Sequence, residues 1–347
     1  MSVHAGLRVA QHEARGAEGE RDGVAALAGA PGLAGAPAEA GSRSGPGLSG
    51  WTVRVHAAPG SPQGSRGVRL HALLAPLDLC GLRLPPLEVE LGADGWAVGR
   101  VGGETLWRIR LPETRALSAL LGQCTATALH LADRLFLHAG VVAVRGRAVV
   151  LAGPSGAGKT SLVAALLAQG ATYLSDEVAW LPLPDGVPDS VQVPDGVQVP
   201  DGVRVPDRVR SRHDGGPPEG APCAFPFALP LAVKPWTLRA LGALPAGEVV
   251  ARDDDVTYVL PPRRAETRVP VALLVLLEGR GRRVRLRPLS PGAVFLALSR
   301  QPSSLQLARH RARAFAGLAG LLRTVPAVGL VTPSPAAGAA ALLKILP

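Results

Sequence analysis

Hydrophobic and polar positions along the chain change period several times, and each change marks an element. Between Trp51 and about Arg110, the stretches WTVRVHA, LEVEL and LWRIRL alternate apolar and polar residues between glycine-rich turns, which predicts short strands. The period then lengthens. Leu117, Leu120, Leu121, Cys124, Ala128, Leu131 and Leu135 recur at spacings of three and four, the stripe of an amphipathic helix with Cys124 packed on its buried side. GVVAVRGRAVVLAG predicts two strands about the Arg145-Gly146-Arg147 turn, and TSLVAALLAQ a helix stopped by Gly170. ATYLSDEVAWLPL reads as a strand broken by a polar turn. Downstream, FALPLAVKPWTLRALGAL leads into a helix, VPVALLVLLEG and RRVRLRPLS are a buried and a half-buried strand, and Ser304 to Arg323 carries a long apolar stripe. AVGLVTP then predicts a short strand and PAAGAAALLKIL a last helix opened by proline. Strands alternating with helices predict an α/β sheet covered on both faces.

Two stretches have no such period. Residues 1–50 are Gly, Ala, Ser and Pro with scattered charges, the composition of a disordered tail. From Val187 to Arg210 the hexapeptides VPDSVQ, VPDGVQ, VPDGVR and VPDRVR follow one another. Four copies are too few to bury a β-helix core, and each holds Pro and Asp, so they predict a mobile, solvent-exposed insertion at about 184–222. The expected organisation is a tail over 1–50, a small β-rich unit over 51–112 and an α/β core over 113–347 that carries the insertion.

Composition changes this picture little. A hydrophobic fraction of 47% in 347 residues supports a real core, while 42 glycines and 33 prolines beside 3% aromatics agree with long irregular segments. The net charge of +10 is carried almost wholly by arginine, since Lys159, Lys234 and Lys344 are the only lysines. No basic run is interleaved with aromatics, so a nucleic-acid partner is not expected, and ARHRARAF from Ala308 reads as a solvated helix face. Cys80, Cys124 and Cys223 lack the spacing of a disulfide framework or a zinc site, which fits a reducing compartment. No apolar run is long enough to span a bilayer and the first thirty residues lack a signal-peptide core, so a cytoplasmic chain without a membrane partner is expected.

The chemistry sits in LAGPSGAGKTSL. Gly153, Pro154, Ser155, Gly156, Ala157, Gly158, Lys159 and Thr160 satisfy the pattern G-x-x-x-x-G-K-[ST], between a predicted strand and a predicted helix that starts near Ser161. Glycines let the backbone turn its N–H groups around phosphates at the positive end of a helix, a Lys neutralises the β and γ phosphates, and a Thr hydroxyl reaches Mg²⁺. A nucleotide with Mg²⁺ is therefore the expected cofactor. Phosphoryl transfer also needs a carboxylate at the metal or beside the attacking hydroxyl. Asp176 and Glu177, sixteen and seventeen residues beyond Thr160, follow after one helix and one return strand. Neighbouring side chains on a strand point opposite ways, so only one of the two reaches the loop unless the backbone turns there. Asp253 to Asp255 read as a solvated loop, and Lys234 stands out because lysine is so rare in this chain.

These residues carry a resemblance. LHAGVVAVRGRAVVLAGPSGAGKTSLVAALLAQGATYLSDEVAWL, about residues 137–183, resembles the catalytic core of the HPr serine kinase/phosphorylase family and its shorter relatives in bacterial peptide-modification clusters; FPFALPLAVKPW is similar to a proline-rich segment of the relatives. The resemblance implies a P-loop kinase core of the HPr kinase / PEP carboxykinase-like type, with the small β-rich unit before it. It places His138 near the phosphates, gives Lys159 and Thr160 to ATP and Mg²⁺, makes Asp176 the general base toward a serine hydroxyl and has Glu177 assist the metal. It also implies a peptide or small-protein acceptor and a homo-oligomer. Glu177 stands where the family has a second Asp, and the family's long glycine-rich signature is missing downstream, so phosphorylase activity and HPr itself as substrate are not expected. The expected function is ATP-dependent transfer to a serine or other hydroxyl. A small-molecule kinase and a nucleotide-sensing module without transfer are the other readings of the same residues.

Overall fold

Residues 51–57, 66–67, 69–70, 73–74, 84–132, 134–182, 222–301 and 311–346 are described in a computed structural model. The tail over 1–50, the hexapeptides and the expected helix start at Ser304 lie outside these residues, as does the 184–222 insertion apart from Pro222.

Four strands come first: β1 (Val53–Ala57), β2 (Leu87–Leu91), β3 (Trp96–Val101) and β4 (Glu104–Arg110), in the order β1-β2-β3-β4. The alternation in LEVEL is the alternation of the sheet. Leu87, Val89 and Leu91 are buried, while Glu90 is exposed and pairs with Arg100 at 2.5 Å. Helix α1 (Ala116–Leu131) lays Leu117, Leu120, Cys124 and Ala128 into the same core, together with Trp180, Phe227 and Tyr258. Burial pushes the Cys124 thiol up to about 12, so it packs as a small apolar group.

The helix is shorter than its apolar stripe. It ends at Leu131, Ala132 is extended, and Leu135 lies in strand β5 (Arg134–Leu137), opposite Leu181 of a later strand. RLFL alternates with period two, and Leu135 and Leu137 are buried by strand pairing rather than on a helix face.

The rest is built on a seven-stranded mixed sheet. Its strands are β6 (Ala139–Val144), β7 (Arg147–Ala152), β8 (Thr172–Ser175), β10 (Cys223–Ala224), β14 (Val269–Arg280), β15 (Arg285–Pro288) and β16 (Ala327–Thr332). They run β15-β16-β14-β7-β6-β8, with β10 added to β14. β7, β14 and β16 are parallel, whereas β6 is antiparallel to both β7 and β8. Arg145 and Gly146, both at positive φ, make the tight turn between β6 and β7 that the sequence predicts.

Both faces are covered, which is why these strands read as continuous apolar runs. Val142, Val149, Leu151 and Val275 meet α2 (Lys159–Ala168) and α6 (Pro335–Ile345). Val141, Val150, Leu274 and Leu276 meet α4 (Pro291–Ser299) and α5 (Arg311–Thr324). The polar turn in ATYLSDEVAWLPL sends the chain from β8 to β9 (Ala179–Pro182), which leaves the large sheet to pair with β5. A third sheet, β11 (Leu231–Val233), β13 (Val256–Leu260) and β12 (Glu248–Asp253), flanks helix α3 (Pro235–Leu241). The whole is a mixed α/β fold, and among the described residues no helix is long and apolar enough to cross a membrane.

Asp254 and Asp255 form the turn of the β12–β13 hairpin after Asp253, the last residue of β12, and these three residues cap α1. An Asp253 oxygen, on a side chain nearly buried, accepts from the Ser118 N–H at 3.1 Å. Asp254 accepts from the Arg115 N–H, and the Arg115 guanidinium holds the Asp255 carboxylate at 2.9 and 2.6 Å. What the sequence presents as a solvated loop supplies the cap that α1's own N-terminal residue does not. Replacing Asp253 by Ala is expected to destabilise the fold by about 1 kcal/mol. Asp255→Ala, which breaks an exposed ion pair, should cost less than about 1 kcal/mol. Urea denaturation of the two variants measures the difference.

Candidate active site

Polar groups meet at one edge of the large sheet. β7 ends at Ala152 and the chain turns through Gly153 to Gly158 into α2, so the glycine-rich loop lies at a helix N-terminus. β8, parallel to β7, ends at Ser175 on the same edge, and β6 starts there after His138. Strand ends thus bring His138, the loop, Asp176 and Glu177 together.

The loop is shaped by close packing and by its own hydrogen bonds. At Gly153 an added Cβ would stand 3.1 Å from both the backbone oxygen and the Cβ of Leu277 in β14, so a side chain there requires β14 to give way by a few tenths of an ångström. Gly156 and Gly158 hold φ of 80° and 96°, left-handed values that glycine adopts without strain. Ala157 N–H donates to the Pro154 carbonyl at 3.1 Å. Pro154, Ser155 and Gly156 are exposed, whereas Lys159 and Ser161 are buried. The Lys159 ammonium donates to the carbonyls of Gly153, at 2.9 Å, and Pro154, at 3.3 Å, and so lies folded back across the loop. Burial pushes its pKa down, while Glu177 and Asp176 pull it up.

The backbone does turn at the acidic pair. Val178 N–H donates to the Ser175 hydroxyl at 3.1 Å, closing a tight polar turn that separates the two carboxylates. Asp176 goes inward and is 2% exposed. Neither of its oxygens completes a hydrogen bond, although the Thr160 hydroxyl is near enough to favour the charged form. Burial first and Glu177 second push its pKa up to about 7, against Thr160, Lys159 and Lys234. Gly140 of β6 makes room for Val163 of α2, because a side chain there would come within 2.6 Å of it, while the nearest Asp176 oxygens would lie at an ordinary contact distance of 3.7 Å.

Glu177 turns toward His138, whose Nδ1 lies 3.2 Å from the Glu177 carbonyl and 3.4 Å from its carboxylate. Both partners are acceptors, so Nδ1 carries the proton and Nε2 presents a lone pair. Burial lowers the His138 pKa against the pull of Glu177, which keeps the ring neutral near pH 7.

Two residues join the site that sequence patterns alone leave aside. Lys234, just before α3, is close enough to act on the charge of Asp176, Lys159 and His138. Its ammonium stands 5.4 Å from the ring of Trp236, and the Arg115 guanidinium 5.7 Å from the same ring. The rarity of lysine, and its place in FPFALPLAVKPW, were the signals for Lys234. Ser175 has a weaker one, a hydroxyl three residues before the amide it accepts from.

Among the described residues no three His, Cys, Asp or Glu side chains cluster to hold a metal by themselves. Mg²⁺ does not require that, because it takes one or two protein oxygens and completes its shell with phosphates and water. The unpartnered Asp176 carboxylate beside the Thr160 hydroxyl, with Glu177 next to it, is a donor set of that kind. No protein-family model matches the chain, and comparison with curated proteins gives no match.

The folded-state pKa of Asp176 lies above its ordinary value of 3.8, so its ionisation opposes folding. Below about pH 4 both states hold the proton; as pH rises toward 7 the unfolded chain releases it first, and stability falls by on the order of 1.4 kcal/mol per unit of pKa difference. Asp176→Asn removes that loss. Its melting temperature relative to the parent chain should therefore rise between about pH 4 and about pH 7 and level off above, as followed by differential scanning fluorimetry; a constant offset would show that Asp176 ionises freely.

Proposed function

We propose that the chain is an ATP-dependent, Mg²⁺-requiring kinase that transfers the γ-phosphate to a serine, or another hydroxyl, of a peptide or small protein. The observation that carries this reading is Asp176, a buried carboxylate without a hydrogen bond, set beside Lys159 and Thr160 at the mouth of a glycine-rich loop. Leaving such a group unsatisfied costs several kcal/mol, an expense that a purely structural acid has no reason to carry. The resemblance to the HPr serine kinase family over about residues 137–183 supports the same reading.

Each residue has a part. The backbone amides at the start of α2 and the Lys159 ammonium bind the β and γ phosphates, Lys159 exchanging the Gly153 and Pro154 carbonyls for phosphate oxygens. Thr160, Asp176 and Glu177 would hold Mg²⁺, which when bound neutralises charge on the phosphates. The acceptor oxygen attacks phosphorus, the bond to the β-phosphate oxygen breaks, and ADP leaves with the electron pair. Asp176 takes the acceptor's proton. Its burial, which in the protein alone pushes its pKa up, favours proton uptake over that of an exposed carboxyl. His138 is a neutral acceptor at Nε2 that orients the hydroxyl, while its Nδ1–H keeps Glu177 in place. Lys234 adds a second positive charge on the transfer side.

Incubation with γ-labelled ATP and candidate acceptors tests the proposal. Asp176→Asn should slow transfer by roughly 100-fold or more, and Lys159→Ala should weaken nucleotide binding as well. Unchanged transfer by Asp176→Asn refutes the assignment of the base. Label in small molecules alone would select a small-molecule kinase, and ATP binding without any labelled product a sensing module.

A further inference from the structure

Lys234 is a cation without a counter-ion. Among the described residues its ammonium makes no hydrogen bond and no ion pair, although the side chain is half-buried. The chain before it is pinned to β8, the strand that ends beside Asp176: the Phe227 N–H donates to the Leu174 carbonyl at 2.9 Å, and the Tyr173 hydroxyl donates to the Leu229 carbonyl at 2.5 Å. β11 then leads directly into α3, which packs on α2, the helix that opens with Lys159. Lys234 is thereby held just before α3, within electrostatic reach of both Asp176 and Asp255.

The acids around it are engaged elsewhere. Asp253 and Asp254 accept from the Ser118 and Arg115 amides, Asp255 is held by the Arg115 guanidinium, and Glu177 faces the Nδ1–H of His138. Asp176 is buried and, on the kinase reading, serves Mg²⁺ and the acceptor's proton. Beside the ammonium stands Trp236, which is 42% exposed and the only exposed one of the chain's five tryptophans. Its neighbour Thr237 is buried, so α3 turns Thr237 inward and leaves the indole on the surface. With the Lys234 ammonium 5.4 Å and the Arg115 guanidinium 5.7 Å from the ring, an open apolar surface adjoins positive charge.

An acceptor has to bring its hydroxyl to Asp176, and Lys234 and Trp236 are what the residues beside that hydroxyl meet. We infer that these two side chains recognise the acceptor, selecting a peptide segment that carries Asp or Glu close to the accepting residue and an apolar side chain to lie on the indole. This rests on the kinase reading. A half-buried ammonium without a counter-ion gains a charge-assisted hydrogen bond from a carboxylate and repels a basic segment. One ammonium also matches the single charge of a carboxylate, whereas the guanidinium that a phosphate would call on in addition is already held by Asp255.

Peptides in which one central serine lies between degenerate positions test the inference, incubated with the full chain, Mg²⁺ and γ-labelled ATP. Labelled products should be enriched about tenfold in Asp or Glu at one flanking position, as a hydrogen bond to a charged group would give. Lys234→Gln should lose that enrichment, and Lys234→Glu should replace it with Lys or Arg at the same position. Trp236→Ala should raise KM for the best acidic peptide several-fold while kcat changes by less than about twofold. If Lys234→Glu labels nothing, calorimetry decides: loss of the acidic peptide with ATP still bound upholds the inference, and unchanged peptide affinity overturns it. No preference for acids in the parent chain, the same preference in both Lys234 variants, or ATP binding without any labelled peptide also overturns it, and leaves transfer to other hydroxyls standing. If the parent chain does not bind ATP, the kinase reading falls and the acceptor surface with it.

Discussion

A sheet covered on both faces leaves its strand ends as the one place where charged groups can gather without disturbing a core. In this chain, residues of β6 and β7 alternate strictly between two helix-covered cores, Val141 and Val150 on one side, Val142 and Val149 on the other. No polar side chain fits inside such strands. His138, the glycine-rich loop, Asp176 and the strand ends at Arg280 and Thr332 are accordingly placed at one edge by strand direction alone. Connection lengths then decide which residue emerges where.

Electrostatics at that edge is arranged around burial rather than around ion pairs. Asp176 is removed from water, Lys159 is turned onto backbone carbonyls instead of onto a carboxylate, and His138 is kept neutral by its surroundings. Had Lys159 and Asp176 formed a close salt bridge, both would be satisfied without a ligand, and bound phosphate would have to break it. Their separation leaves a cation and an acid facing the same space.

Much of this was legible in the sequence because the signals were local. The strand before the loop, the helix after it, the Gly170 stop and the strand that ends just before Asp176 all follow from short periodic stretches and turn residues. Pairing between distant segments was not legible. Leu135 looked helical because three- and four-residue spacing continues by chance into a strand whose partner, β9, lies beyond the glycine-rich loop. The Asp253–Asp255 turn looked solvated because nothing nearby in the chain reveals the α1 amides it caps. Lys234 reaches the site through a third sheet that its own neighbourhood does not announce. In each case, a contact across more than forty residues decided the outcome.

The Lys159 ammonium, folded back onto Gly153 and Pro154, acts as an internal template for the loop. Six residues rich in glycine would otherwise sample many conformations, and ordering them would be charged against every binding event. With the ammonium holding the two carbonyls, much of that ordering is completed during folding. On the proposed reading, a phosphate would meet a cradle already formed and would need to displace two hydrogen bonds rather than organise a chain, so the entropy of the loop would weigh on the stability of the protein instead of on its affinity.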